Sequence, residues 1–333
     1  MQSQEVRLKR RPVGMPDADD FEVVTVDLPD PEAGEIQVRN LCMSVDPYMR
    51  GRMVDRKSYV PPFQVGEALT GGAIGRIVKS AHPEYPEGEI VESHLGWREG
   101  FTVAAGQTRR IGELSAPPSA YLGVLGMPGM TAYAGLFGAA SLKDKETVFV
   151  SGAAGAVGSI AGQIARIRGC RVVGSAGSAD KVAWLTGELG FDHAFDYHDG
   201  RLLDHLREGA PDGLDVYFDN VGGDHLEAAL FHMRPFGRIA LCGAISQYNA
   251  TEPVPGPSNL VMAIGLGLTL RGFIVSHFDH MADDFRRDMT AWVNAGEISY
   301  RETVYDGIDK AADAFIGLFT GANVGKMIVR LAD

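Results

Sequence analysis

At 333 residues the chain exceeds the usual size of a single hydrophobic core, so two domains are expected. Its 45% hydrophobic and 22% charged residues are typical of an ordinary globular protein. A formal net charge of −12 argues against nucleic acid, or an anionic membrane surface, as the main partner.

The first 125 residues contain short runs of strand-forming residues separated by proline and glycine. This spacing predicts an irregular, partly barrel-like β domain, with strands near 21–26, 35–39, 72–78 and 89–91. Within it, Pro47 imposes an extended or turn conformation on Asp46 and leaves Tyr48 beside the turn. Tyr48 is either a residue of a substrate pocket or simply a turn aromatic.

A segment rich in glycine, alanine and methionine follows, with GMPGMTAYAGL at its centre. Small residues let two backbones approach closely, either to pack a helix on a sheet or to admit a ligand. We expect this segment to be the passage between the two domains, and we include Met127 among the candidate pocket residues.

The stretch from Thr147 to Gly177 has the pattern of a dinucleotide-binding unit. A short apolar strand leads into Gly152, Gly155 and Gly158, and apolar residues then recur at helical spacing until Gly169. A second strand follows at once. Glycines alone would fit any tight turn, but strand, glycines, helix and strand together favour phosphate binding at the helix N-terminus.

Strands and helices continue to alternate after this unit, which predicts a doubly wound parallel sheet of the Rossmann type. The predicted strands are 193–197, 214–219, 238–242 and 269–275, and the predicted helices are 181–189, 202–207, 225–234, 259–267 and 281–295. The tail from 298 to 333 is predicted to form a strand, a helix and a second strand. Ligands of such sheets lie beyond the carboxyl ends of the strands.

Targeting and cysteine patterns point to a cytoplasmic protein. The N-terminus has no apolar leader run, and the most apolar stretch, 260–270, is too short to span a bilayer. Cys42, Cys170 and Cys242 stand far apart without a CxxC pair, so we expect no bound metal and a reducing compartment.

The cofactor preference is indicated by a missing acid. NAD-binding units usually carry a carboxylate at the end of the second strand, where this chain has Gly174. A 2′-phosphate is therefore admissible there, and Ser178 and Lys181 are the candidates to bind it. We therefore predict NADP(H) as the cofactor over NAD(H). Lys181 considered alone would be interpreted as a solvated residue in the first turn of a helix.

Motifs throughout the chain resemble the zinc-independent medium-chain dehydrogenase/reductases, in the branch of leukotriene B4 12-hydroxydehydrogenase/prostaglandin reductase and the NADPH-dependent alkenal double-bond reductases. The motifs follow one order from the first domain to the C-terminus and cover nearly the whole chain. It rests on VDPYMRGRM (45–53), GMPGMTAYAGL (126–136), SGAAGAVGSIAGQIARIRGC (151–170), GSADKVAWL (177–185), YFDNVGG (217–223), GRIALCGAISQYN (237–249) and NVGKMIV (323–329).

The resemblance implies a catalytic, GroES-like domain over 1–125 completed by 297–333, an NADP(H)-binding domain over 126–296, and a homodimer joined through the edge strand 269–275. The predicted dinucleotide-binding unit and the resemblance together give the following cofactor-binding candidates: Gly155, Ala156, Val157, Gly158, Ser178, Lys181, Tyr197, Asn220, Cys242, Gly243, Ala244, Ile245, Ser246, Tyr248, Phe273, Ile274, Val275 and Asn323.

Departures from the zinc alcohol dehydrogenases decide the expected chemistry. The GHE motif and the four-cysteine lobe are missing, and Cys42 alone cannot form a three-ligand zinc site. We therefore expect NADPH to reduce the C=C bond of an α,β-unsaturated aldehyde or ketone, with Tyr248 donating a hydrogen bond to the developing enolate oxygen.

Two other functions stay open at this stage: an NADPH:quinone oxidoreductase, and an NADPH-binding protein without catalysis. Several histidines are also candidates for an acid–base role. Their spacing matches neither a set of metal ligands nor a catalytic triad, and we interpret them as surface or core residues. They are His193, His198, His225, His232, His277 and His280.

Overall fold

The computed structural model describes residues 1–332. The chain forms two compact units. The first consists of Met1–Leu122, Glu302–Asn323 and the residues from Met327 onward, and the second of Gly123–Arg301 and Val324–Lys326. Along residues 1–332, none of the helices has the length and apolar character that a membrane crossing would need.

The regular structure of the first 110 residues is mostly β-strand. Their elements are β1 Gln2–Leu8, β2 Phe21–Asp27, β3 Glu35–Ser44, α1 Met49–Arg52, β4 Ala73–Ser80, β5 Ile90–Ser93, β6 Gly100–Ala104 and β7 Arg109–Arg110. After Phe21, strand β2 alternates half-buried and exposed side chains, as expected of a strand with one more solvated face. Strand β3 is buried over most of its length because its side chains pack into three hydrophobic clusters.

The second unit alternates strands and helices. Its elements are α2 Met127–Tyr133, β8 Thr147–Val150, α3 Ala156–Ile167, β9 Arg171–Ala176, α4 Ala179–Gly187, β10 His193–Asp196, α5 Leu202–Gly209, β11 Leu214–Asp219, α6 Gly223–His232, β12 Met233–Leu241, α7 Met262–Leu266, β13 Thr269–Gly272 and α8 Ala282–Asn294. Helix α2 continues as a π-helical segment, Ala134–Ala139.

The strands of the second unit form one six-stranded sheet in the order β10-β9-β8-β11-β12-β13, with parallel pairing throughout. This is the strand order of dinucleotide-binding folds. Every residue of β8 is buried, as a central parallel strand requires. Helix α3 lies close to the rest of the unit because Gly162 has no side chain; a Cβ there would overlap the Phe191 ring.

The chain ends in β14 Glu302–Asp306, α9 Ala311–Thr320 and β15 Lys326–Arg330. These strands extend a sheet of the first unit in the order β14-β15-β3-β4-β5-β7, with β6 also paired to β3. The core here is aromatic: Trp97 is fully buried, and its ring lies 6.1 Å from Phe21 and 5.9 Å from Phe315. The predicted Rossmann sheet and β-rich domain are both confirmed.

The boundaries of β12 and β13 differ from the prediction. Helix α6 ends at His232, and β12 already begins at Met233, five residues before the predicted start. Strand β13 ends at Gly272 instead of Val275, because Val275–Met281 turn into a 3-10 segment. The last residues of the predicted edge strand are therefore loop residues that follow the sheet.

Candidate active site

The glycine-rich turn after β8 leaves no room for side chains. Gly152 has a φ of +58°, a conformation that other residues rarely adopt. A Cβ on Gly158 would lie 2.5 Å from the Gly152 carbonyl oxygen and 2.8 Å from the Ala153 Cα atom. The first turn of α3 therefore packs directly on the backbone of the turn.

The N-terminus of α3 has the properties of an anion site. Gly155 precedes the helix in an extended conformation and gives it no side-chain cap. The first N–H groups of an α-helix have no partner within the helix, so those of Ala156, Val157 and Gly158 are suited to bind phosphate oxygens. A Cβ at Gly155 would sit 3.3 Å from the Gly152 oxygen, which again leaves backbone as the binding surface.

A segment distant in sequence supports this turn. The Gly325 N–H donates to the Ala154 carbonyl at 2.8 Å, and the Lys326 N–H donates to the Arg301 carbonyl at 3.0 Å. Gly325 has a φ of +68°, and a Cβ there would overlap the Arg301 backbone. Sequence reasoning singled out the NVGK motif but not this support of the glycine turn. Asn323, half-buried, lies just ahead of the segment.

The end of β9 gathers the residues proposed for the 2′-phosphate. Ser178 caps α4, and its hydroxyl oxygen accepts the Lys181 N–H at 3.4 Å. Lys181 is half-buried, and burial lowers the pKa of its ammonium group. A Cβ on Gly177 would lie 2.9 Å from the Tyr197 hydroxyl, which places Tyr197 against the same loop. Positions 174–179 carry no acidic residue.

A buried carboxylate organises the ends of β8 and β11. Asp219 is 1% exposed, and one of its oxygens accepts the Tyr217 hydroxyl at 2.7 Å and the Ser151 hydroxyl at 3.2 Å. The N–H groups of Val221 and Gly222 donate to the same oxygen at 3.0 and 2.8 Å. Burial is the main cause that raises the pKa of this carboxyl group. Sequence analysis missed this cluster because a strand-end aspartate carries no distinctive spacing.

Asn220 has a structural task in this cluster. Its side-chain amide donates to the Ser151 carbonyl at 2.8 Å, and its backbone carbonyl accepts the Ile245 N–H at 3.2 Å. The loops after β8, β11 and β12 are thereby connected. Ser246 adds a further connection, since its hydroxyl donates to the Val221 carbonyl at 2.6 Å.

The loop after β12 positions Tyr248. Cys242 and Gly243 donate their N–H groups to the Asp219 carbonyl at 2.9 and 3.0 Å, and Ile245–Gln247 form one 3-10 turn. The Tyr248 side chain folds back over this loop, where its hydroxyl oxygen accepts the Ala244 N–H at 3.3 Å.

Protonation states in this loop follow from burial. Burial is the main cause that raises the pKa of the Tyr248 hydroxyl above its ordinary value of about 10. The same cause raises the pKa of the Cys242 thiol to about 12. At neutral pH Tyr248 is therefore a neutral donor, and Cys242 is a thiol without nucleophilic character.

The other predicted contact residues lie as follows. The Phe273 ring is in the core, 6.2 Å from Phe218 and 6.0 Å from Phe278, so only the Phe273 backbone is suited to contact a cofactor. Ile274 and Val275 are half-buried beyond the end of β13.

The two pocket candidates besides Tyr248 are placed in different units. Tyr48, in the first unit, is half-buried just before α1, and burial together with Asp46 raises the pKa of its hydroxyl. Met127, in the second unit, begins α2 and is 39% exposed.

A catalytic zinc does not fit the residues near Cys42. That cysteine is buried in an apolar cluster with Leu41, Ile74 and Ile328. Among residues 1–332, the single group of three side chains with metal-ligand geometry is elsewhere, at His193, His205 and Glu208.

Comparison with known proteins identifies the class. Residues 4–111 match the family described as N-terminal domain of oxidoreductase, and residues 156–295 match the family described as zinc-binding dehydrogenase. With the fold and the glycine turn, these matches define a dehydrogenase/reductase with a β-rich N-terminal domain and a Rossmann domain.

Three similar proteins narrow the family. The chain is 42% identical to a 2-alkenal reductase (NADP(+)-dependent) of Nicotiana tabacum over 99% of this chain and 98% of that protein. It is 44% identical to prostaglandin reductase 1 of Bos taurus, over 97% of each. The crystal structure of CurA from Vibrio vulnificus in complex with NADPH has a TM-score of 0.94 and 39% identity, with 99% of both chains covered. The chain belongs to the medium-chain dehydrogenase/reductase superfamily, in the branch that contains the prostaglandin and alkenal reductases.

Proposed function

We propose that the protein is an NADP-dependent oxidoreductase that reduces the C=C bond of α,β-unsaturated aldehydes and ketones. The observation that carries the proposal is the placement of Tyr248, a neutral hydrogen-bond donor fixed at the sheet edge where the glycine-rich turn ends β8. The alkenal reductase and prostaglandin reductase relatives support the reaction class.

NADP(H) is the cofactor that the second unit fits. The backbone of Gly155–Gly158 offers N–H groups to the diphosphate, and only glycine fits where Gly158 meets Gly152. Ser178, Lys181 and Tyr197 would hold the 2′-phosphate and the adenine ribose, while Asn220, 242–248, 273–275 and Asn323 complete the contacts. When bound, the cofactor supplies the hydride. The NADP-dependent tobacco relative and the NADPH complex of the Vibrio protein support this choice.

Tyr248 stabilises the charge that the reaction creates. Hydride addition at the β-carbon of the substrate moves the conjugated electron pair to the carbonyl oxygen, which becomes an enolate. The Tyr248 oxygen accepts the Ala244 N–H, so its own O–H proton is available to donate to this enolate oxygen. Protonation of the α-carbon then completes the saturated carbonyl product. Tyr48 and Met127 are proposed to line the substrate pocket.

We also propose a homodimer joined through the region of β13. Strand β13 is an edge strand, and exposed edges of this kind are normally covered. The chain leading into β13 exposes apolar side chains: Leu260 is 49% exposed, Val261 69% and Ile264 82%. A second copy of the chain would cover both features.

Product analysis tests the reaction. Purified protein with NADPH and a medium-chain 2-alkenal or an aryl enone should oxidise the cofactor and yield the saturated carbonyl, identified by mass, with a strong preference over NADH. Consumption of NADPH with quinones alone would favour a quinone oxidoreductase. Tight NADPH binding without turnover of any enone would indicate a non-catalytic protein.

Replacing Lys181 tests the 2′-phosphate site. Lys181→Gln should raise KM for NADPH about tenfold or more, since a charged hydrogen bond contributes about 1.5–3 kcal/mol. KM for NADH should not change, because NADH has no 2′-phosphate. Lys143→Gln is the matched control, since Lys143 is an exposed lysine of the same unit. Equal effects on both cofactors in Lys181→Gln would contradict the assignment.

Removing the Tyr248 hydroxyl tests the donor. Tyr248→Phe should lower kcat about 100-fold, as loss of an oxyanion donor does, with little change in NADPH affinity. Because burial raises the pKa of Tyr248, the active protonated form should persist to above about pH 10, and wild-type kcat should fall only as the hydroxyl deprotonates. The variant should lack this alkaline decline. Tyr85→Phe is the control and should keep the wild-type kcat. Wild-type turnover in Tyr248→Phe would refute the role of Tyr248 as hydrogen-bond donor.

Light scattering coupled to gel filtration tests the dimer. The wild type should have twice the mass of one chain, and Ile264→Asp should shift it towards the monomer because a carboxylate would be buried at the interface. Val13→Asp places the same charge at a position that is 87% exposed in the first unit and should leave the dimer intact. A monomeric wild type would contradict the proposal.

A further inference from the structure

Three ligand-type side chains meet at the outer edge of the parallel sheet. His193 is the first residue of the edge strand β10, and His205 and Glu208 are one turn apart on α5. One nitrogen of each histidine and one carboxylate oxygen of Glu208 all lie within 4.8 Å of one another. His205 Nδ1 is 3.6 Å from the nearer oxygen of Glu208.

The two imidazoles present buried nitrogens that no protein group satisfies. His193 Nε2 and His205 Nδ1 are buried and have no hydrogen-bond partner. Such atoms are uncommon in folded proteins and need an explanation. His205 Nδ1 is also the nitrogen that lies 3.6 Å from Glu208.

A second carboxylate orients His205. Its other ring nitrogen, Nε2, is 2.7 Å from the Asp199 carboxylate, which favours the tautomer with the proton on Nε2. The Nδ1 lone pair is then directed away from Asp199 and available to a cation. A metal-bound histidine typically has such a carboxylate on its second nitrogen.

Packing holds both rings in place. The His205 ring stacks on Phe195, with centroids 4.7 Å apart and planes 10° apart. His193 lies against the end of α5, where a Cβ on Gly209 would be only 2.7 Å from the His193 Cδ2 atom. Packing therefore restrains the two imidazole rings, whereas the Glu208 side chain is exposed.

We propose that His193, His205 and Glu208 form a binding site for a divalent transition-metal ion such as Zn²⁺, Co²⁺ or Ni²⁺, which joins α5 to the edge strand β10. Two imidazoles and one carboxylate are a donor set that these ions prefer over Mg²⁺ or Ca²⁺. With metal–ligand bonds of about 2.0–2.1 Å, the ligand atoms must lie roughly 3.4 Å apart. His205 and Glu208 are already near this separation.

Charges of both signs surround the proposed site. The Asp199 carboxylate lies against His205, whereas the Arg171 guanidinium acts electrostatically on His193. Arg201 lies 3.6 Å from one oxygen of Glu208, while the other oxygen faces His205. The Glu208 side chain is 55% exposed and the His205 side chain 14% exposed, so the carboxylate side of the site faces solvent, and water would complete the coordination of the ion. The site has no residue in common with the proposed catalytic or cofactor-binding set.

The test measures Co²⁺ and Zn²⁺ binding to the full chain, freed of any purification tag and of metal. The wild type should bind one ion per chain by calorimetry, show ligand-field absorption with Co²⁺, and gain thermal stability with Zn²⁺. Glu208→Gln should bind about tenfold more weakly, and His193→Gln/His205→Gln should lose the site. Asp199→Asn should weaken binding by about 10- to 100-fold.

His198→Gln is the matched control. His198 lies on the turn after β10, its side chain is 63% exposed, and it pairs with Asp196. This variant should bind Co²⁺ as the wild type does. The melting temperatures of the metal-free variants show whether each one folds. Glu208 lies on the surface, so Glu208→Gln still tests the site if a histidine variant unfolds. Equal Zn²⁺ stabilisation of wild type and Glu208→Gln, or equal losses in His198→Gln and Glu208→Gln, would overturn the proposal.

Discussion

The buried carboxylate of Asp219 is the interaction on which the candidate site depends. Its side chain binds the end of β8 through Ser151 and the turn after β11 through Val221 and Gly222. Its backbone carbonyl accepts the N–H groups that begin the loop after β12. One residue thus fixes three loops at the carboxyl edge of the sheet. A buried acid is costly unless it is hydrogen-bonded, and one oxygen of Asp219 accepts four such bonds.

The phosphate site depends on glycines because they carry no side chain. At Gly158 a single methyl group would clash with the backbone of the turn, and at Gly325, which supports the turn, it would overlap the Arg301 backbone. With no side chains in the way and no side-chain cap on α3, the helix presents bare N–H groups to solvent or ligand. Geometry and electrostatics then favour the same occupant, a phosphate group.

Local sequence patterns predicted the Rossmann sheet well, because strand, glycine turn and helix are each determined by residues close in the chain. Contacts between distant residues were not accessible in this way. Gly325 reaches Ala154 across more than half of the chain, and Asp219 acts through backbone groups that no motif identifies. His193 and His205 are joined only because α5 folds back on β10. The NADP(H) preference, by contrast, was predicted from one local feature, the missing acid near Gly174.

The chemistry proposed for Tyr248 is consistent with the ligands available to the chain. Zinc alcohol dehydrogenases activate the alcohol with a Lewis acid, and Cys42 lies among apolar side chains that do not complete a zinc site. Reduction of a conjugated C=C bond places its charge on a delocalised enolate, for which a neutral phenol is a sufficient donor. Burial keeps Tyr248 protonated, and Ala244 fixes the position of its oxygen. The loop that carries Tyr248 is held by Asp219, so the donor and the glycine-rich turn share one support.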